Sequence, residues 1–283
     1  METTGISTES LLLSNLLTLD PLHETDWAEH WKQLVAARHG QAWQFHDPAF
    51  WDKRARSFAV ATSGRLDGFI EVLDPWLQPH RTLTDVGAGA GRYAAPLADR
   101  LDWVTAVEPS QGMRDLIPEK DNMTVIATDW EHAEPAPANL VICCHVLYGV
   151  VDAPAFIARL EAAATERVFV ELRYGQLQTA SDPIYELMTE TVRARQPEFG
   201  DLWNLLLQMG IEADVTALQY EGYESWKDAA AFEAEYRPPL ADCWDEAKAQ
   251  AWLAENATRE ANGSLVYARG RRSAGVAHWR PRR

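Results

Sequence analysis

A chain of 283 residues, 47% hydrophobic and 24% charged, has ordinary globular composition and suits one large α/β domain with appended helices rather than two full domains. Its apolar runs fall short of the ~20 residues that a membrane-spanning helix requires, and a formal net charge of −16 disfavours a nucleic-acid partner, which asks for a basic face to neutralise phosphates. The start METTGISTES has no basic segment and the apolar run Leu11 to Leu17 is broken by Ser14 and Asn15, so no secretory signal is expected and the cytoplasm is the expected location.

As far as Pro79 the chain lacks strand-like runs and shows helical patterns over Trp27 to Ala37, Pro48 to Ala59 and Leu66 to Leu77. Asp47-Pro48 supplies an N-cap followed by proline at the first helical position, and Asp74-Pro75 marks a late-helix turn. From Thr82 the pattern changes to short β-rich runs, TLTDVG, WVTAVEP, MTVIAT, NLVICC and RVFVEL, with helical stretches between them. Crossovers of about a dozen residues join parallel strands, so these spacings predict a doubly wound, mostly parallel sheet. Beyond Arg173 the expectation is a long helical region over Pro183 to Gly210, a strand over Asp214 to Tyr220, and helices over Ser225 to Tyr236 and Trp244 to Asn256. A C-terminal antiparallel pair, Ser264 to Arg269 and Gly275 to Trp279, is expected around a turn bracketed by Gly270 and Gly275.

Cys143, Cys144 and Cys243 form no C-x-x-C pair, which predicts reduced thiols with neither disulfide nor zinc. No carboxylate and histidine cluster stands at ligand spacing, so no metal is expected. The tail Arg269 to Arg283 carries six arginines and reads as a solvated strand and chain end.

The segment Asp85-Val86-Gly87-Ala88-Gly89-Ala90-Gly91 ends an apolar strand and leads into a helix near Arg92, the place where a ligand approaches backbone amides at a helix start. Glycine suits it because a Cβ would block close approach or forbid positive φ. The spacing is G-x-G-x-G, and arginine at 92 departs from the dinucleotide pattern G-x-G-x-x-G, which weakens an NAD assignment. Glu108, at the end of the second strand, stands where a carboxylate accepts hydrogen bonds from two ribose hydroxyls.

Asp85 to Gly91, then Glu108-Pro109-Ser110-x-x-Met113, then Asp129-Trp130 after the third strand resemble, in order and spacing, the motifs of the class I (Rossmann-like) S-adenosylmethionine-dependent methyltransferases of the type 11/25-like kind. The resemblance covers roughly Arg81 to Arg173. It implies S-adenosyl-L-methionine as cofactor, with S-adenosyl-L-homocysteine as product, and the cofactor set Asp85, Gly87, Ala88, Gly89, Gly91, Tyr93, Glu108, Pro109, Ser110, Met113, Asp129, Trp130 and His145. Asp85 would face the methionine end, Met113 would pack on adenine, Asp129 would accept from its exocyclic amine and Trp130 would cover its face. Met113 is equally suited to the core, and Asp129 to capping a turn. The organisation implied is an N-terminal helical cap over 1–79, a cofactor-binding core over 80–175, and a helical insert with C-terminal strands completing the sheet over 176–283.

The fourth strand runs into His145-Val146-Leu147-Tyr148 at the carboxyl edge of the sheet, where open α/β sheets bind ligands. His145 and Tyr148 are therefore the catalytic candidates, with His145 either a general base or a lining group. Methyl transfer asks mainly for in-line positioning, so an assured base is not required. Glu171 and Arg173, ending the fifth strand, either grip a polar acceptor or pair with neighbours. Trp51 and Tyr185, with Trp43, Phe45, Phe199 and Trp203, either line an acceptor pocket closed by the N-terminal helices and the insert, or staple those layers to the sheet.

The function expected is methyl transfer to oxygen, nitrogen or carbon of a small-molecule acceptor. The alternatives are a catalytically silent adenosylmethionine- or adenosylhomocysteine-binding protein or partner subunit, and, further off, an NAD-dependent oxidoreductase. No basic stripe and no Asn-Pro-Pro-Tyr-like tetrapeptide follows the fourth strand to suggest a nucleic-acid substrate.

Overall fold

The structure, a computed structural model, describes residues 25–39, 41, 48–62, 68–175 and 180–282. The Leu11 to Leu17 run, Trp43, Phe45, Asp47 and Leu66 lie outside the described residues. Among the described residues three helices precede the sheet: α1 (Trp27–His39), α2 (Pro48–Thr62) and α3 (Gly68–Leu73), the last followed by a 3-10 turn over Asp74–Trp76 with Pro75 near its start. Among the described residues no helix is long and apolar enough to cross a membrane.

The sheet comprises β1 (Thr82–Val86), β2 (Trp103–Val107), β3 (Met123–Ile126), β4 (Ala138–Cys144), β5 (Ala164–Arg173), β6 (Asp214–Trp226) and β8 (Leu265–Trp279) in the spatial order β3-β2-β1-β4-β5-β8-β6, with the short β7 (Thr258–Arg259) pairing β8 off that path. Strands β1 to β5 pair in parallel, and β8 runs antiparallel between β5 and β6. Helices α4 (Ala94–Ala98), α5 (Gln111–Arg114) and α6 (Ala153–Ala163) lie in the crossovers. Later come α7 (Ser181–Thr189), α8 (Phe199–Gln208), α9 (Ala229–Tyr236) and α10 (Glu246–Asn256).

The near-continuous apolar strands follow from helices covering both sheet faces. Along β4, Val141 and Cys143 enter one core with Trp31 and Val35 of α1, Phe156, Ile157 and Leu160 of α6, and Leu202 and Leu205 of α8. Leu140 and Ile142 enter the opposite core with Phe69 and Leu73 of α3 and Ala94 and Leu97 of α4. This is the period of two that a strand imposes. A third core forms a small lobe: Ile184 and Met188 of α7, Phe232 and Tyr236 of α9, Ala249 and Leu253 of α10, packed on Trp226 and Leu265 at the far end of the β6–β8 ribbon.

Three expected elements are corrected. The region Pro183 to Gly210 is two helices: Glu190 takes left-handed φ of 54° after α7, and Pro197, which disfavours helix before it, is followed by a Glu198/Asp201 capping box that starts α8. The two C-terminal strands are one strand of 15 residues. Gly270 (φ 66°) pairs with Gly222 at a register shift, and Gly275 marks close approach rather than a turn, since a Cβ there would lie 2.5 Å from the Phe199 ring. Ser225 and Trp226 belong to β6, and the helix after them begins at Ala229 under an Asp228 cap.

Candidate functional site

Strand β1 has β2 on one side and β4 on the other, both parallel to it, so the strand order reverses there, opening the crevice at the carboxyl ends where such sheets take ligands. The glycine loop fills that edge. Gly87, Gly89 and Gly91 have φ of 71°, 56° and 80°, a region that side chains with a Cβ rarely enter. At Gly87 the close approach is to the protein itself, because a Cβ would lie 2.4 Å from the Val146 side chain in the turn after β4. The Gly87 and Ala88 amides donate to the Val107 carbonyl at 2.8 and 3.1 Å. Ala88 is buried among the α3 and α4 contacts.

The Glu108 carboxylate bridges the two loops. Its Oε2 accepts from the Gly89 amide and its Oε1 from the Ser110 amide, both at 2.8 Å. Each carboxylate oxygen has capacity for a second donor. Burial raises the Glu108 pKa, against the pull of those two amides. Arg114 closes the turn by donating to the carbonyls of Glu108 and Pro109 at 2.9 and 2.6 Å. Asp85 is 2% exposed, and burial pushes its pKa up to about 7, against a hydrogen bond from the Ala94 amide and with a further rise from the Glu108 charge. Its Oδ2 has no hydrogen-bond partner.

The remaining motif residues occupy varied settings. Met113 is buried, and its amide donates to the Ser110 hydroxyl at 3.1 Å, which caps α5. Asp129 is half exposed and caps its own turn, accepting from the His132 amide at 3.0 Å and touching the His132 ring at 2.5 Å. Trp130 sits in the core against Phe156, with the Arg159 guanidinium 5.7 Å from its ring. Tyr93 is buried against Phe69, and Arg92 lies over its ring at 5.0 Å.

At the ends of β4 and β5 the structure brings His145, Tyr148, Glu171 and Arg173 together. His145 adopts φ of 59°, which turns its ring back onto Tyr148. The rings are stacked at 13° and the Nδ1 atom is 3.1 Å from the Tyr148 hydroxyl. That hydroxyl accepts from the Arg173 amide at 2.9 Å, and burial raises its pKa. On the other side His145 Nε2 lies 3.4 Å from Glu171 Oε1. Glu171 is 1% exposed; burial would raise its pKa, but His145, Arg92 and Arg173 together bring it below the ordinary value. The Arg173 guanidinium donates from Nε to the Tyr220 hydroxyl at 3.1 Å. Trp51 and Tyr185 stand elsewhere, at the small lobe. Trp51 meets Phe50 edge-on at 5.2 Å, while Phe50 and Tyr185 pack against the third core.

Three contributors are not apparent in the sequence. Asp52 bonds Ser110, Tyr220 anchors Arg173, and Arg92 supplies charge near Glu171. Asp52 and Tyr220 come from 58 and 47 positions away, so no local spacing signals them.

A glycine loop and a strand-ending acid at the switch point of this sheet define a Rossmann-like fold of the methyltransferase class. Residues 84–165 match the family model described as a methyltransferase domain, the part of the chain that holds the glycine loop, Glu108 and the end of β4. A Haemophilus influenzae protein named only as uncharacterized is 26% identical over 225 residues, covering 74% of this chain and 81% of its own length. The crystal structure of a Bacillus halodurans protein assigned as a methyltransferase shares the fold at a TM-score of 0.51 and 12% identity, covering 76% of this chain and 99% of that one. An S-adenosylmethionine-dependent methyltransferase from Geobacter sulfurreducens, in complex with S-adenosyl-L-homocysteine, has a TM-score of 0.44 at 15% identity, covering 80% and 98%.

Proposed function

We propose that this chain transfers the methyl group of S-adenosylmethionine to a small-molecule acceptor. The observation that carries this is the Glu108 carboxylate, pinned between the Gly89 and Ser110 amides with one acceptor position open on each oxygen. Two open, adjacent acceptors suit the vicinal hydroxyls of a ribose. The unpartnered Asp85 Oδ2 at the same sheet edge suits the cationic amino-acid end of the cofactor. Met113 would pack against adenine and Asp129 would offer its remaining oxygen to the exocyclic amine. When bound, the cofactor supplies an electrophilic methyl group.

The acceptor side is assigned to Glu171, His145, Tyr148 and Arg173. Both ring nitrogens of His145 already face neighbours, Tyr148 and Glu171, so His145 orients this corner rather than meeting the acceptor first. Glu171, buried with only the long 3.4 Å contact from His145 on one oxygen, is the group able to receive a bond from an N–H or O–H of the acceptor. The proton released as the new bond forms would pass to that carboxylate, and in-line positioning supplies most of the remaining barrier reduction.

Isothermal titration with S-adenosylmethionine, S-adenosylhomocysteine and NAD in parallel tests this. Uptake of the first two without NAD supports the proposal, and NAD binding alone overturns it.

A further inference from the structure

Asp52 lies on α2, outside the residues that match the methyltransferase domain, and yet it reaches the cofactor loop. Its Oδ1 accepts from the Ser110 hydroxyl at 2.6 Å and from the Gly112 amide at 2.9 Å. The contact is backbone-tight, because a Cβ on Gly112 would come within 2.8 Å of the Asp52 carbonyl oxygen and 2.9 Å of its Cα. Ser110 then distributes the hold: its amide donates to Glu108 at 2.8 Å and its hydroxyl accepts from the Met113 amide at 3.1 Å. One carboxylate from another layer thus fixes the turn that presents Glu108, Ser110 and Met113.

Two positions further along α2 the chain grips the small lobe. Residues i and i+2 of a helix do not face each other, so Arg54 points away from Ser110. Its guanidinium donates to the Glu235 carboxylate at 2.7 Å and to the Glu235 carbonyl at 2.8 Å. The other carboxylate oxygen of Glu235 accepts from the Trp226 indole at 3.0 Å, and Trp226 belongs to the third core. Phe50 packs on that core and lies 4.5 Å beneath the Arg54 guanidinium. A forked arginine bond shared between side chain and backbone fixes orientation as well as distance.

The geometry points to Asp52 as a positioning residue of the nucleoside site and to α2 as the strap that couples nucleoside occupancy to the lobe built on α7, α9 and α10. This rests on the assignment of the Glu108 loop to a nucleoside. A ligand held by Glu108 and Met113 stiffens the Ser110 turn, the turn holds Asp52, and the same helix holds Glu235. Coupling of this kind is reciprocal, so fixing the lobe also favours the nucleoside.

The test is titration of the full chain with S-adenosylhomocysteine, paired with amide hydrogen exchange. D52A is expected to weaken binding by about fivefold or more, from loss of a charged acceptor. D52N, which keeps an acceptor oxygen, recovers most of that affinity. In the wild-type chain the ligand is expected to slow exchange over residues 108–114 and also over 229–236, and in R54A the slowing over 229–236 disappears while that over 108–114 remains. Wild-type affinity in a folded D52A, or slowing over 229–236 that is absent from the wild type or survives in R54A, overturns the strap. If D52A does not fold, the R54A exchange pattern decides. A wild-type chain that takes up no S-adenosylhomocysteine removes the nucleoside assignment itself, whereas binding with an indifferent D52A removes only the inference.

Discussion

The Nε2 atom of His145 stands 3.4 Å from Oε1 of Glu171, with the two residues locked in register by the His145 amide donating to the Glu171 carbonyl at 2.9 Å. The side-chain contact is long for a strong hydrogen bond, so it is the backbone pairing that fixes the two residues against each other. His145 reaches it from a backbone at φ of 59°, a left-handed conformation uncommon for residues other than glycine, though asparagine, aspartate and histidine enter it more readily than most.

Removing that partner should leave Glu171 buried without its nearest compensating group. His145→Ala is expected to lower stability by about 1–3 kcal/mol, the cost of an uncompensated buried polar group. The double variant with Glu171→Gln should recover part of that loss, because the charge that needed compensation is gone. Urea denaturation of the four members of this cycle measures the coupling, and a coupling energy of zero would show the two side chains to be independent.

Asp85 predicts a pH dependence. Burial raises its folded pKa from 3.8 to about 7, so the folded chain retains a proton that the unfolded chain releases. Its contribution to stability is fully present below the unfolded value and is lost as pH rises towards the folded one. Between pH about 4 and about 7 the unfolding free energy should therefore fall with a slope approaching 1.4 kcal/mol per pH unit from this group. Asp85→Asn does not titrate, so the difference in slope between wild type and variant isolates the effect. Parallel stability curves across that window would mean that Asp85 titrates at its ordinary value.

Gly275 and Phe199 predict a steric clash with a rescue. A methyl group at 275 would meet the ring at 2.5 Å, and the ring is buried in the core between α8 and the sheet. Gly275→Ala is expected to cost about 1–3 kcal/mol through overpacking. Adding Phe199→Leu should return part of it, and thermal melts of the single and double variants check this. Equal melting temperatures for the wild type and Gly275→Ala would show that the ring relaxes freely.

This pair also illustrates where the sequence stops being informative. The strands β1 to β5 and the glycine loop were legible because each is a local pattern: apolar runs of strand length, spaced by helical stretches, with a turn that demands positive φ. Gly275 was not, since a glycine inside a strand looks the same whether it ends a strand or admits a ring from a helix some 76 positions earlier in the chain. The same limit separates the site's two halves. The place of Glu108 beside the glycine loop follows from its position after a strand, whereas Asp52 on Ser110 and Tyr220 on Arg173 depend on how layers dock. Trp130 shows a further difficulty: position after β3 marked it for the cofactor, but its ring is buried against Phe156 and Arg159, and sequence cannot tell which way a side chain at a strand end turns.

Glu108 gives the most direct prediction for the cofactor site. Its carboxylate holds two backbone amides and, in the proposed function, would also take two hydroxyls of a bound nucleoside, and the substitutions separate these roles. Glu108→Gln retains one acceptor oxygen and replaces the other by an amide nitrogen, which faces an N–H donor and leaves that donor unpaired. Loss of hydrogen bonds to a charged group is worth roughly 1.5–3 kcal/mol, so S-adenosylhomocysteine affinity should fall by about tenfold or more in Glu108→Gln. Glu108→Ala should fall at least as far, and should also loosen the Gly89 and Ser110 amides, seen as faster hydrogen exchange at both. Titration calorimetry and exchange on the same samples separate the outcomes. Unchanged affinity in a folded Glu108→Gln would take this carboxylate out of the ligand contacts and leave it as a clasp between the glycine loop and the turn at Ser110.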